Sequence, residues 1–229
     1  MSPGCDSLGS PGYFLNAALL IGSWGGEKWV TMMDKNLACS GARRRKRVFD
    51  IVVTVAAAPV WMPVLLLSSL LILVLEGRPI FYVSARQIAR GVYFPIMKFR
   101  TMRQDAEAAS GAVWSRKYDT RVTRVGRFLR KWRIDEIPQL VNVLRGEMSL
   151  VGPRPNLPDE AEQYEEWHKK RLTVSPGITG LWQVSGRSDL TFDEMVLLDI
   201  YYVENWSITM DISIVLRSLP AVLRARGAY

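Results

Sequence analysis

Residues 51–75 read IVVTVAAAPVWMPVLLLSSLLILVL, without one charged side chain. A helix of roughly 20 apolar residues spans the hydrocarbon core of a bilayer, and this stretch is long enough to do so. The alternative, a helix buried in a soluble core, fits poorly because the stretch has no polar face. Pro59 and Pro63 each remove a backbone donor, so they predict a kink within the membrane helix.

Basic residues flank this segment on both sides. The run RRRKR occupies residues 43–47 before it. Six cations follow it: Arg78, Arg86, Arg90, Lys98, Arg100 and Arg103. Positive charge marks the cytoplasmic side of a membrane segment. Two basic flanks therefore favour a helix that enters the membrane, bends at the prolines and returns, and a single pass is the alternative.

Length and charge limit the remaining possibilities. A chain of 229 residues with 48% hydrophobic residues can form one domain and an anchor. Its net charge of +8 indicates an anionic partner, which can be nucleic acid, an anionic membrane or a phosphorylated substrate. We expect a poorly ordered tail over residues 1–42, a basic flank and re-entrant helix over residues 43–77, and a cytoplasmic domain over residues 78–229.

Local patterns predict a mainly helical α+β fold. Residues 79–83 and 93–97 are short and rich in aromatic and branched side chains, with Arg90-Gly91 between them, which predicts a small β-hairpin. Apolar periodicity and turn residues predict helices over residues 121–131, 138–144, 160–172, 193–204 and 210–226. The first has Val122, Val125, Phe128 and Leu129 on one face. We expect the third to be solvated, with its His168 on the surface, and the last to pack on the core or lie on the membrane surface.

The acidic pair Asp135-Glu136 stands just before Pro138, where a helix is predicted to begin. One interpretation is that the acids cap this helix. Their basic surroundings favour phosphoryl chemistry, in which one carboxylate attacks phosphorus and the other holds Mg²⁺. Prolines on both sides of Arg154 fix its backbone, and a rigid guanidinium suits phosphate binding. The chain has no P-loop pattern.

Several long motifs occur together and in order. They are KFRTM at residues 98–102, DEIPQL at 135–140, NVLRGEMSLVGPRP at 142–155 and PGITGLWQVSGR at 176–187. With the proline-interrupted apolar segment, they resemble the bacterial sugar transferase family, the monotopic phosphoglycosyl transferases. The C-terminal part looks most like the members that start exopolysaccharide repeat units with galactose-1-phosphate or glucose-1-phosphate.

The resemblance implies a ping-pong reaction at the cytoplasmic face of the bacterial inner membrane. An aspartate attacks the sugar-linked phosphate of a UDP-sugar and releases UMP, and polyprenyl (undecaprenyl) phosphate then takes the phosphosugar. Carried over, Asp135 is the nucleophile and Glu136 the Mg²⁺ partner. The phosphate-contacting residues are Arg130, Arg154 and Arg187, with Lys98 in a matching motif. The family's Ser-Pro kink corresponds to Ala58-Pro59, which keeps the proline and lacks the serine.

Other functions stay open as alternatives. A basic membrane adaptor explains the charge and the anchor, but not the acids among the arginines. A membrane-bound hydrolase of nucleotide sugars would use water as the second nucleophile. Nucleic-acid binding lacks a recognisable module, so we expect no nucleic-acid partner. The expected partners are a UDP-sugar, polyprenyl phosphate and membrane lipid, and self-association into a homo-oligomer is left open.

Overall fold

A computed structural model describes residues 40–87, 93–104, 106, 119–186 and 190–223. The predicted N-terminal tail falls almost entirely on residues 1–39, outside the described residues. So do Arg187 and most of the polar stretch that follows the β-hairpin. The expectations for these parts stay predictions.

The described chain is mainly helical. Its helices are α1 (Ser40–Ala56), α2 (Ala58–Glu76), α3 (Arg124–Lys131), α4 (Gln139–Arg145), α5 (Pro158–Glu162), α6 (Leu181–Ser185), α7 (Phe192–Glu204) and α8 (Ile208–Leu223). Single-turn or short 3₁₀ helices cover Ile134–Glu136 and His168–Thr173. The strands are β1 (Phe81–Gln87), β2 (Tyr93–Phe99), β3 (Ser149–Val151) and β4 (Gly177–Thr179).

The predicted β-hairpin is confirmed. β1 and β2 pair antiparallel, with Phe81 opposite Phe99 and Gln87 opposite Tyr93. β3 and β4 form a second, parallel pair that the sequence did not predict. Phe94 and Ile96 of β2 share a core cluster with Val143 of α4 and with Met148, so the hairpin packs directly on the helix that follows the acidic pair.

The apolar segment divides into two helices at Ala57. α1 ends at Ala56 and α2 begins at Ala58, with Pro59 in its first turn and Pro63 inside it. A helix break leaves carbonyls without their usual partners. The indole Nε1 of Trp61 donates to the carbonyl of Thr54 across this break, at 2.9 Å. Within the described residues, α2 alone is long and apolar enough to cross a membrane, and 11% of its apolar window is buried.

Both ends of this segment are held by the rest of the protein. In α1, the guanidinium of Arg47 donates to the carbonyls of Val143 and Leu144 at the end of α4. Past the end of α2, buried Arg100 donates to the carbonyls of Glu76, Gly77 and Arg78 at 2.9 to 3.0 Å. Arg47 and Arg100 are therefore structural ties, although the sequence grouped both with the basic flanks.

The helix predicted over residues 121–131 is wrong in two details. α3 begins at Arg124, so Val122 lies before it and bridges to Met102. Phe128, predicted on the buried face, is 52% exposed, whereas Leu129 is fully buried. Consecutive residues on a helix point about 100° apart, and the core lies on the side of Leu129.

The predicted solvated helix over residues 160–172 is also wrong. α5 ends at Glu162, and a 3₁₀ helix begins at His168. His168, predicted on the surface, is 7% exposed and packs against the rings of Trp167 and Phe192. Its Nδ1 accepts from the backbone N–H of Glu165 at 3.1 Å. The polar composition of this stretch hid a local core under α7.

Candidate active site

The site begins where α3 crosses the KFRTM segment. A Cβ on Gly126 would lie 2.1 Å from the carbonyl oxygen of Thr101, so only glycine permits this approach. The crossing brings the Nε of Arg130 to 2.8 Å from the hydroxyl of Thr101. Arg130 is thereby fixed at the edge of the acidic pair, and burial is the main influence that lowers its pKa.

A tight turn after α3 sets the position of Asp135 and Glu136. Arg133 adopts a left-handed conformation with φ of 54°, which an L-residue other than glycine rarely adopts. The chain then enters the 3₁₀ helix that contains Asp135 and Glu136. Neither acid caps α4, because its residue before the first turn is Pro138, without a side-chain cap. The capping interpretation is therefore wrong, and the acids stand one turn ahead of α4.

Glu136 is held between two cations. Its Oε1 lies 3.0 Å from the Nζ of Lys98, and its Oε2 lies 3.7 Å from Arg133. Burial opposes ionisation of this carboxyl, but the charges of Lys98, Arg133 and Arg154 outweigh it and lower its pKa to about 2. Glu136 is thus ionised at any physiological pH.

Asp135 has the opposite electrostatics. Burial and the neighbouring Glu136 charge raise its pKa to about 6, against the pull of Lys98, Arg130 and Arg133. Within the described part of the chain, its side chain makes no hydrogen bond or ion pair. A carboxylate that is ionised near neutral pH, partly buried and not tied to a donor is suited to nucleophilic attack.

Arg154 comes to the site on the loop after β3. A Cβ on Gly177 would lie 2.1 Å from the backbone nitrogen of Gly152, so the two strands meet through glycine. The N–H of Gly152 donates to Thr179 at 2.9 Å, and that of Gly177 donates to Pro153 at 2.8 Å. These bonds hold the Gly152-Pro153-Arg154 turn on β4, a restraint that adds to the one predicted from the flanking prolines.

An open cleft brings several of these groups together. Its lining consists of Arg86, Ile96, Lys98, Glu136, Gln139, Arg154, Pro155, Gly177, Ile178 and Gln183. Cations and one carboxylate stand beside apolar walls. Such a mixture suits a ligand that has both phosphates and neutral parts.

Most of the predicted site residues come together. Lys98, Glu136 and Arg154 line the cleft, and Asp135 and Arg130 interact electrostatically at its edge. Arg187 lies outside the described residues. Sequence reasoning missed two contributors, Arg86 and Gln139, and counted Arg133 among the cations around the acidic pair without giving it a role in the site. Arg133 and Gln139 flank the acidic pair within a few residues, and that adjacency was the available signal.

A divalent metal fits this site only in one way. Within the described residues, no three acidic, histidine or cysteine side chains converge as a ready-made metal site. Asp135 and Glu136 offer two carboxylates, which matches the need of Mg²⁺ for one or two carboxylates together with substrate phosphates and water. The donor set is therefore compatible with a metal that arrives with a phosphorylated ligand.

Residues 41–225 match the family described as bacterial sugar transferase. The chain belongs to the bacterial sugar transferase family.

Individual relatives of known sequence are consistent with this family. The chain is 41% identical over 198 residues to the exopolysaccharide production protein ExoY of Sinorhizobium fredii, a match covering 80% of this chain and 88% of the relative. It is 40% identical over 223 residues to the undecaprenyl-phosphate galactose phosphotransferase of Salmonella typhimurium. It is 39% identical over 215 residues to the undecaprenyl-phosphate glucose phosphotransferase of Komagataeibacter xylinus.

Coverage differs among these relatives. The Salmonella match covers 89% of this chain and 45% of the relative, and the Komagataeibacter match covers 87% and 40%. The chain thus spans less than half the length of these two sugar transferases. All of the site residues described above fall within residues 41–225, the range that matches the family.

Proposed function

We propose that this protein transfers a hexose-1-phosphate from a UDP-sugar to undecaprenyl phosphate and releases UMP, as the first membrane step of exopolysaccharide or related glycoconjugate synthesis. The carrying observation is the adjacent pair of Asp135 and Glu136 at the cleft, whose pKa values are shifted in opposite directions to about 6 and about 2. Relatives named for galactose and glucose phosphotransfer to this lipid support the reaction class.

The reaction proceeds in two displacements at one phosphorus. In the first, a carboxylate oxygen of Asp135 attacks the sugar-linked phosphorus, the bond to the bridging oxygen breaks, and UMP leaves with that oxygen. In the second, an oxygen of undecaprenyl phosphate attacks the same phosphorus and regenerates the Asp135 carboxylate. Two displacements suit a site in which one acid is held by cations and the other is not.

The cations lower the barrier by neutralising charge on the transferring group. Lys98 and Arg154 line the cleft, and Arg130 and Arg133 stand on the side of Asp135. Charged donors fixed before the reaction are worth more in a water-poor site than in bulk water. Arg187, which lies outside the described residues, is expected to join them.

Mg²⁺ would be held by Glu136, with the diphosphate of the donor as its other main ligand. The metal would supply charge neutralisation at the diphosphate. Glu136 forms ion pairs with Lys98 at 3.0 Å and Arg133 at 3.7 Å. If Glu136 binds the metal instead, the phosphates of the donor would become the ion-pair partners of these two cations.

The anchor is proposed to be re-entrant. Asp50, at the N-terminal end of the apolar segment, accepts hydrogen bonds from Ser149 and Leu150 of β3. Glu76, at the other end, is bound by Arg100 just after β2. β2 and β3 pack on one core, so both ends of the segment attach to the same domain. A straight helix from Asp50 to Glu76 would instead hold its ends roughly 40 Å apart, on opposite sides of the bilayer.

A re-entrant anchor would bring the two substrates together. A hairpin in one leaflet holds the cleft near the headgroups, where the lipid phosphate lies and a soluble nucleotide sugar can enter from the cytoplasm. The net charge of +8 favours binding of the protein to the anionic surface of the inner membrane.

Nucleotide release tests the proposal. The purified protein is incubated with Mg²⁺ and UDP-galactose, UDP-glucose or their N-acetyl relatives, with and without undecaprenyl phosphate. Sustained UMP release that requires the lipid is the expected result. Sustained UMP release without lipid would indicate a hydrolase, UDP release would indicate ordinary glycosyl transfer, and no release would favour the adaptor.

A further inference from the structure

Helix α4 carries two buried side-chain amides with different surroundings. Asn142 is saturated: its Oδ1 accepts from the N–H of Met97 at 3.0 Å, and its Nδ2 donates to Pro95 at 2.8 Å and Glu147 at 2.5 Å. Gln139, one turn earlier, is 2% exposed, and its Nε2 has no hydrogen-bond partner among the described residues. Buried polar groups in folded proteins are nearly always paired, so this donor requires an explanation.

The position of Gln139 supplies one. It lines the same cleft as Glu136, Lys98 and Arg154. Glu136 lies three residues before it, and both side chains belong to the lining, so Gln139 is part of the site rather than of a remote part of the core. It is also uncharged, unlike Lys98 and Arg154 in the same lining. A neutral donor beside a phosphate site suits an uncharged oxygen of the same ligand.

We propose that Gln139 is a specificity-determining residue whose Nε2 donates a hydrogen bond to a neutral oxygen of the nucleotide sugar. That oxygen belongs to a sugar hydroxyl or to a uracil carbonyl, which present the same acceptor chemistry. The inference rests on the proposed function, because it takes a nucleotide sugar as the donor. Asn142 shows the contrasting case, an amide of the same helix used wholly for structure.

Gln139→Met tests this inference, because methionine keeps the length of the side chain and removes the amide. We expect kcat/KM for the UDP-sugar to fall about 3- to 30-fold, with KM for undecaprenyl phosphate unchanged. Gln163→Met, the same change at an exposed position, is the control and should leave both values unchanged. A donor kcat/KM within twofold of wild type in folded Gln139→Met would overturn the inference.

Donor analogues identify the oxygen. If it is a sugar hydroxyl, the effect of Gln139→Met should disappear for the deoxy or epimeric donor that lacks that hydroxyl. If it is a uracil carbonyl, every UDP-sugar should lose the same factor, and UMP should inhibit the variant less. Either pattern supports the inference, whereas a loss confined to the lipid substrate contradicts it.

A measurement on the wild-type protein avoids any folding defect. The side-chain amide resonance of isotopically labelled Gln139 should shift when UDP-sugar is added, and that of Asn142 should not. An unshifted Gln139 resonance at saturating donor would overturn the inference. If the wild type binds UDP-sugar with this shift and yet releases no UMP, the proposed function fails while the Gln139 inference stands.

Discussion

Lys46 and Asp211 form an ion pair at 2.8 Å, and Lys98 and Glu136 form one at 3.0 Å, but the two pairs have opposite surroundings. The first belongs to a docking cluster of Lys46, Asp50, Tyr202, Trp206 and Asp211. The second belongs to a cleft cluster of Lys98, Arg133, Asp135 and Glu136. Both clusters combine acids with cations, so residue type alone does not separate them.

The docking cluster is closed. Asp211 is fully buried and accepts hydrogen bonds from Lys46, Tyr202 and Trp206 at 2.7 to 3.1 Å. The single hydroxyl proton of Tyr202 is shared between Asp211 and the carbonyl of Val151, and burial raises the pKa of Tyr202 well above its ordinary value. With its polar atoms paired in this way, the cluster ties α1 to β3, α7 and α8.

The cleft cluster is open and unsaturated. The side chain of Glu136 is 19% exposed, and Asp135 makes no hydrogen bond or ion pair within the described residues. Paired groups stabilise the fold, while a carboxylate without a partner is available for chemistry. This contrast predicts that the same Asp→Asn change will have different consequences in the two clusters.

The largest effect is expected from Asp135→Asn. Loss of the nucleophile should reduce UMP release at least about 10³-fold. The thermal stability of the Asp135→Asn variant at pH 7.5 should equal or exceed that of the wild type. The reason is that folding raises the pKa of Asp135 to about 6, so in the wild type the ionised carboxylate opposes folding above that pH. Near-normal turnover in folded Asp135→Asn would refute the assignment of the nucleophile.

Asp211→Asn should show the reverse pattern, with the next largest effect. It leaves the mostly buried ammonium of Lys46 without its counter-ion, which is expected to cost about 3 to 5 kcal/mol of stability in chemical denaturation. Turnover per folded molecule should change little. Glu204→Gln, which breaks an exposed pair with Lys170, is the control and should cost no more than about 1 kcal/mol. Equal losses in the two variants would mean that the docking cluster does not stabilise the fold.

Glu136→Gln comes third. We expect turnover to fall about 10- to 100-fold and the Mg²⁺ concentration for half-maximal activity to rise, because the amide is a poorer metal ligand. Titration of activity with Mg²⁺ measures both quantities. If the half-maximal concentration is unchanged, Glu136 does not hold the metal.

The smallest effect is expected in the pH dependence of turnover, which tests the electrostatics of the cleft cluster. With the pKa of Asp135 at about 6, the ionised fraction, and with it kcat/KM for the donor, should fall about tenfold from pH 7 to pH 5. Lys98→Met removes a charge that lowers this pKa, so the midpoint should move to higher pH. Lys169→Met, in an exposed pair with Glu166, is the control and should leave the midpoint in place. A midpoint that Lys98→Met leaves unshifted would contradict this electrostatic account.

The sequence predicted the features that depend on residues close together in the chain. The uncharged run over residues 51–75, the aromatic strands of the hairpin, and the proline and glycine that bracket α4 each lie within one continuous stretch of sequence. The site motif was equally local, since Asp135, Glu136 and the rigid Arg154 turn are visible in short stretches. Both kinds of feature could therefore be read from the sequence.

The parts that failed depend on distant partners. Lys46 and Arg47 looked like a basic flank, but their partners lie 165 and about 96 positions away in the chain. His168 lies in a polar stretch, yet the ring of Phe192 covers it from α7. Buried Arg171 likewise pairs with Asp199 of α7. Periodicity cannot report such contacts, because it describes a segment and not what packs on it.

A covalent phosphosugar on Asp135 is the most direct test of the account. The protein is mixed with UDP-sugar and Mg²⁺ without lipid, quenched, and analysed by peptide mass spectrometry together with the nucleotide released. We predict one equivalent of UMP per enzyme and a hexose-phosphate mass on the peptide that contains Asp135, with neither in Asp135→Asn. UMP release only when undecaprenyl phosphate is present, with no adduct, would mean direct transfer between substrates and would contradict the central role given to Asp135.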